Sequence, residues 1–175
     1  MAVYFLVMGV VFPDALSFTE KRETSPFFVT SQEKKSISSN ESFDFIIDTG
    51  ITGGDSDMLI LIIGFPDAKS FDGIKIKSSD FTQSPKFFEV GDEIKTYYPS
   101  DYKIAEYPLL HIFNMPNPIN KKPILQLEIT PENLGEYRIF TKAKSAPFTE
   151  DSIFPKGGNV DEDNEIVEKK VVIVE

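Results

Sequence analysis

Apolar and polar residues alternate along most of this chain, and no stretch reads as a long helix. The clearest stretch is Leu127–Ala143, LEITPENLGEYRIFTKA. Leu127 and Ile129, then Tyr137, Ile139 and Thr141, alternate with Gln126, Glu128, Glu136, Arg138 and Phe140. That period of two marks half-buried strands. Between them, Thr130-Pro131-Glu132-Asn133 is turn chemistry, because Pro presets φ and Asn tolerates a left-handed backbone. Gly135 lets the chain bend sharply into the second strand. Tyr137 then falls where a phenol packs in the core and bonds its hydroxyl to the corner backbone. A plain β-hairpin with a glycine turn would give the same pattern.

The rest of the chain fits the same period. Ala2–Phe12 is an unbroken apolar run, too short for a membrane helix, which takes about 20 residues. Its β-branched and aromatic content favours a strand. Three readings stay open for it: a strand of the domain, a targeting or anchor remnant, and an exchangeable strand that completes a neighbouring subunit. Residues 1–26 form this strand and its polar connector, and 27–175 the main domain. Phe27–Thr30 and Phe43–Asp48 read as strands, and Gly50–Asp57 as a loop. Met58–Phe65, MLILIIGF, is apolar throughout, as expected of a strand buried on both sides. Ile74–Lys77 is a short strand. Lys86–Val90 and Glu93–Tyr97 flank Gly91-Asp92 and predict a hairpin. Tyr97–Tyr107 reads as an aromatic loop, Tyr107–Phe113 as a strand, Lys144–Asp163 as a long loop, and Glu165–Val174 as a final strand. Many short strands with turn punctuation predict an all-β sandwich.

The order Leu127, Ile129, Gly135, Tyr137 resembles the E strand, E–F corner and F strand of immunoglobulin-like domains, whose tyrosine corner reads roughly L-x-I-x(n)-D-x-G-x-Y-x-C. Asn133 stands where that family prefers Asp, and Ile139 where it has Cys. The resemblance implies an Ig-like antiparallel β-sandwich without a disulfide. Phe43–Asp48 then takes the B position and Met58–Phe65 the C position, with extra edge strands between C and E. For function it implies little, since such sandwiches host many tasks.

Composition narrows the function classes. The chain has 175 residues, 41% of them hydrophobic and 16 of them Phe, enough for one sizeable core. With 28 acidic and 18 basic side chains it carries a formal charge of −10, which repels phosphate backbones and argues against nucleic acid as a partner. There is no Cys, so disulfides, thiolate metal sites and cysteine nucleophiles are excluded together. The single His, His111, cannot build a zinc constellation. No nucleophile motif or phosphate loop is present.

The remaining candidates are binding sites. Asp48, Asp55 and Asp57 surround a Gly-rich turn, and Asp161 and Asp163 sit in a second acidic group with Glu162 and Glu165. Oxygen ligands on loops suit calcium, which takes about 6–8 of them. The immunoglobulin-like resemblance implies that the B–C and F–G loops share one end, where the two groups could meet. Tyr97, Tyr98, Tyr102 and Tyr107 cluster with Phe87 and Phe88, a composition suited to a recognition surface. Asn40-Glu41-Ser42 is a glycosylation sequon that matters only in an exported chain.

The expectation is a non-catalytic structural or interaction domain, a cell-surface or filament component of a prokaryote with archaeal-looking composition. It would bind a protein partner or its own kind through strand or loop contacts, at the cell envelope or outside it. The alternatives are a calcium- or carbohydrate-binding module, an accessory domain of a larger enzyme, and an intracellular interaction domain.

Overall fold

The computed structural model describes residues 24–32, 35–95, 102–146, 159–160 and 166–175. The apolar run near the N terminus, and the extra strand expected there, lie outside the described residues. In chain order the strands are β1 (Ser25–Gln32), β2 (Ser36–Ile37), β3 (Phe43–Thr52), β4 (Met58–Gly64), β5 (Ile74–Ser79), β6 (Lys86–Phe88) and β7 (Glu93–Lys95). They continue as β8 (Tyr102–Ile104), β9 (Leu109–Asn114), β10 (Ile124–Ile129), β11 (Gly135–Ala146), β12 (Asn159–Val160) and β13 (Ile166–Val174). No helix among the described residues is long and apolar enough to cross a membrane.

Two sheets face each other. The first has four strands in the order β1-β3-β10-β5, all neighbours antiparallel. The second has seven, ordered β12-β13-β11-β4-β9-β6, with β2 added in parallel beside β13. A separate ribbon pairs β7 with β8. Alternation sets what each sheet contributes inward. Phe45 and Ile47 from β3, Leu125 and Leu127 from β10, Leu59 and Leu61 from β4, and Ile139 from β11 are fully buried in one core.

Leu127–Ala143 connects the two layers. β10 belongs to the four-stranded sheet and β11 to the seven-stranded one, so the stretch is a corner between sheets and not a hairpin. The fold is an immunoglobulin-like β-sandwich. The strands expected between the C and E positions are present as well. β9 and β6 widen the seven-stranded sheet, and β5 edges the other.

The corner is held differently from the expectation. Tyr137 is buried in the core, and among the described residues its hydroxyl has no hydrogen bond to the corner backbone. Burial, with Asp67 and Glu132 nearby, pushes the phenol well above its usual pKa. The clamp is Asp67, in the turn after β4. Its Oδ2 accepts from both the backbone N and Nε of Arg138, each at 2.8 Å. Its Oδ1 accepts from Nη2 of Arg138 at 2.5 Å. The Asp67 carbonyl also accepts from Asn133 Nδ2 at 3.4 Å. Arg138 holds the Asp67 carboxyl below the usual carboxylate range, first through the side-chain hydrogen bonds and against the cost of burial. A second tie sits at the sheet edge, where the hydroxyls of Thr24 and Ser145 pair at 3.0 Å.

Two boundaries and one pairing differ from the sequence reading. β1 starts at Ser25, and β3 continues to Thr52, because Ser25 pairs with Thr52 at the far end of the ladder. The hairpin about Gly91-Asp92 does not form. The turn is there, with Asp92 N donating to Glu89 O at 3.0 Å and Gly91 at φ 92. However, β6 pairs with β9, and β7 pairs with β8 inside the stretch read as a loop. Gly91 N donates to Ala105 O and Ala105 N to Asp92 O, so the ladder grows toward Ala105.

Gly135 opens β11 at φ +106, where a Cβ is strained. Gly135→Ala is therefore expected to cost about 1–3 kcal/mol in urea unfolding, with an unchanged slope on denaturant.

Candidate functional site

The outer face of the seven-stranded sheet carries the most organised surface among the described residues. It follows from β4, whose sequence MLILIIG is apolar at every position before its glycine. Leu59, Leu61 and Ile63 enter the core, so Met58, Ile60 and Ile62 must project from the opposite face. There, Met58 and Ile60 form a second apolar cluster, separate from the core, with Ile62 and Phe113 packed against it. Met58 and Ile60 are each only 7% exposed, so this face is closely covered by its own side chains and their neighbours.

Pairing register decides who those neighbours are. Ile62 lies between Lys142 of β11 and His111 of β9, and His111 is next to Lys86 of β6. One row along, Ile60 lies between Lys144 and Phe113. The Lys86 ammonium sits 5.5 Å from the centre of the Phe113 ring, a cation–π distance. The Phe88 and His111 rings are 4.8 Å apart. The surface therefore has an apolar centre with lysines at its rim. Farther toward the corner, Tyr107 lies over Gly64 and packs edge-on against Phe140 at 5.9 Å. A Cβ at Gly64 would stand 2.5 Å from the Tyr107 ring, so the glycine makes room for it.

Charge on this face opposes that of the whole chain. His111 has its pKa pushed down to about 4, first by burial and then by Lys142, Lys86 and Lys144. All the charges acting on it are positive. Glu136 and Asp67 lie at the corner end, and Asp67 is bound to Arg138. At neutral pH His111 is an uncharged ring, and the chemistry on offer is apolar contact plus ammonium groups.

The residues singled out from the sequence are more scattered. Asp48 is exposed on β3, and Asp55 and Asp57 are exposed in the turn before β4. Asp55 Oδ1 accepts from Ile119 N at 2.8 Å, which pins the loop between β9 and β10. Among the described residues, no group of three or more His, Asp or Glu could hold a metal. Asp161 and Asp163 lie outside the described residues, as do Tyr97, Tyr98 and the side chain of Tyr102. Tyr107 is half-buried on the outer face just described, and Asn40 is exposed in a turn at φ 65. Lys86, Lys142 and Lys144 were not singled out. Their signal was in plain view: Phe140, Lys142 and Lys144 share the β11 face opposite Ile139, Thr141 and Ala143, beside a strand apolar on both sides.

No family model matches the chain, and no curated protein matches it. Among solved structures, it is similar to a CARDB domain from Pyrococcus furiosus crystallised with di-metal ions, at 11% identity and TM-score 0.44, covering 90% of this chain and 97% of that one. A non-cellulosomal cohesin from the archaeon Archaeoglobus fulgidus gives 10% identity and TM-score 0.38, covering 87% and 91%. AvmM, which catalyses macrocyclization in alchivemycin A biosynthesis, gives 15% identity and TM-score 0.38, covering 84% and 88%. Likeness at this level transfers no residue roles, and the site stands on its own geometry.

The depressed pKa of His111 sets a pH dependence. The folded value lies below the usual 6.5, so the neutral ring's contribution to stability is complete above pH 6.5. It is lost as pH falls from there toward 4. The loss expected is of order 2–3 kcal/mol. Urea melts between pH 7 and 4 should show this slope, and His111→Phe should flatten it while keeping the ring contact with Phe88. Proton NMR of the single histidine should give a midpoint near 4 in the native protein.

Proposed function

We propose that the domain is a non-catalytic interaction module that works in assembly, docking a partner protein on the outer face of its seven-stranded sheet. The observation that carries this reading is the pair of half-buried side chains Ile62 and Phe113, packed against buried Met58 and Ile60, with the Lys86 ammonium beside the Phe113 ring, in a chain of net charge −10. An apolar centre with a charged rim is the ordinary anatomy of a protein interface. Lys86 favours an acidic surface, and the partly exposed Ile62 and Phe113 supply apolar contact once it arrives. Nucleic acid fits less well, because the remaining surface is acidic and repels a phosphate backbone. Among the described residues the face brings together no nucleophile with a base and no pair of carboxylates, so binding accounts for it better than catalysis. A position at the cell surface or in a filament accords with this reading.

A photoreactive phenylalanine analogue at position 113, irradiated in the native cells, tests it. Covalent adducts should form from position 113 and not from position 134, although Leu134 is 70% exposed. They should disappear when Lys86→Glu and Lys142→Glu are added, with the melting temperature unchanged. Equal labelling from both positions, or adducts that survive the charge reversal, would show that the outer face is not a docking site.

A further inference from the structure

The first and last strands of the described sandwich point the same way and meet the chain at opposite poles. β1 passes along the margin of β11. The Thr24 and Ser145 hydroxyls pair at 3.0 Å at one end, and Gln32 Nε2 donates to Val171 O at 3.4 Å at the other. Val171 is the ladder partner of Arg138, so β1 starts at the Ser145 end of β11 and points toward its Gly135 end. β13 runs in the same direction, from Glu168 opposite Thr141 to Val174 opposite Gly135. The start of β1 and the end of β13 are thus about 30 Å apart along the strands, at about 3.3 Å per residue. After β1 comes β2, which lies parallel to β13. Ile173 N donates to Lys35 O at 3.0 Å, Glu175 N to Ile37 O at 2.9 Å, and Ser39 N to Glu175 O at 2.7 Å. Ile37 on one side of this contact, and Val172 and Val174 on the other, are buried in the core.

We propose that the domain carries tension between Thr24 and Glu175, with the β2–β13 contact as the part that resists it. A pull on Thr24 draws β1 toward the Ser145 pole and loads the β1–β3 ladder lengthwise. Once β1 slips, the same pull falls on β2. A pull on Glu175 draws β13 toward the Gly135 pole. Parallel neighbours drawn in opposite directions can only slide past each other. The three backbone hydrogen bonds between them then break together, and Ile37, Val172 and Val174 leave the core in the same step. A ladder pulled from one end opens pair by pair, and each step costs only the bonds of that pair. Forced unfolding follows the unfolding barrier, so the lengthwise direction is the strong one. This role goes beyond docking and does not depend on what the outer face of the seven-stranded sheet binds.

Single-molecule pulling on the full chain tests this, with two choices of attachment. Handles fused at the two ends load the terminal strands lengthwise. Handles on introduced cysteines, Leu134→Cys and Glu175→Cys, peel β13 from β11 beginning at the Gly135–Val174 pair. Leu134 is 70% exposed, and the chain has no cysteine of its own to compete. The end-to-end unfolding force is expected to be several-fold above the peeling force. Ser39→Pro removes one donor of the contact at the second position of the Ser38–Glu41 turn, a position that suits proline. Ile173→Pro removes another, on the side of β13 that faces β2. Each should bring the end-to-end force down toward the peeling force, and Ser39→Pro should do so with an unchanged urea midpoint. Ser39→Pro carries the test alone if Ile173→Pro fails to fold. Equal forces in the two directions, or an end-to-end force that Ser39→Pro leaves untouched, would overturn the proposal.

Discussion

The structure depends on β4 being buried from both sides. A strand in a sandwich ordinarily buries alternate residues and gives the others to water. Here Leu59, Leu61 and Ile63 fill the core, while Met58, Ile60 and Ile62 form an apolar strip on the far side. β9 packs Phe113 against this strip, and the register sets Lys142 and Lys144 of β11 beside it. The central position of β4, with strands paired on both edges, is what allows this. One strand thus fixes the middle of the seven-stranded sheet and also creates the apolar strip on its outer face.

The corner between β10 and β11 fixes how the second sheet lies on the first. The backbone turns there through a glycine in a conformation costly for other residues, and the turn is then locked from outside. Asp67 comes from the turn directly after β4, so the clamp joins the corner to the same central strand. A carboxylate that accepts two side-chain donors and one backbone donor from Arg138 has little freedom left. The polar tie at this corner is the Asp67–Arg138 ion pair. Tyr137 contributes its ring to the core and leaves the polar work to Asp67.

The distribution of charge follows from the same arrangement. The chain is strongly acidic, yet lysines stand beside β4 on its outer face, and burial first, then these lysines, hold His111 neutral. The opposite face sets the Asp48 carboxylate between exposed Val29 and Ile124.

Much of the fold was legible along the chain. The alternation in 127–143, the uniform apolarity of Met58–Phe65 and the Gly135-Glu136-Tyr137 entry led to a sandwich with a cross-sheet corner, because side-chain period and turn chemistry are local properties. Gly91-Asp92 was equally legible as a turn, but not as a hairpin: a turn brings two segments near, and β9 and β8 offered the better partners. The site was legible only in halves. The period of two puts Lys142 and Lys144 on one face of β11, and the apolar run implies two buried sides for β4. That these halves meet Lys86, His111 and Phe113 is set by register between strands far apart in sequence, as is the position of Asp48 between Val29 and Ile124. Register depends on which strands lie side by side, and that is decided by burying the whole core at once, so only the tertiary structure could place these residues together.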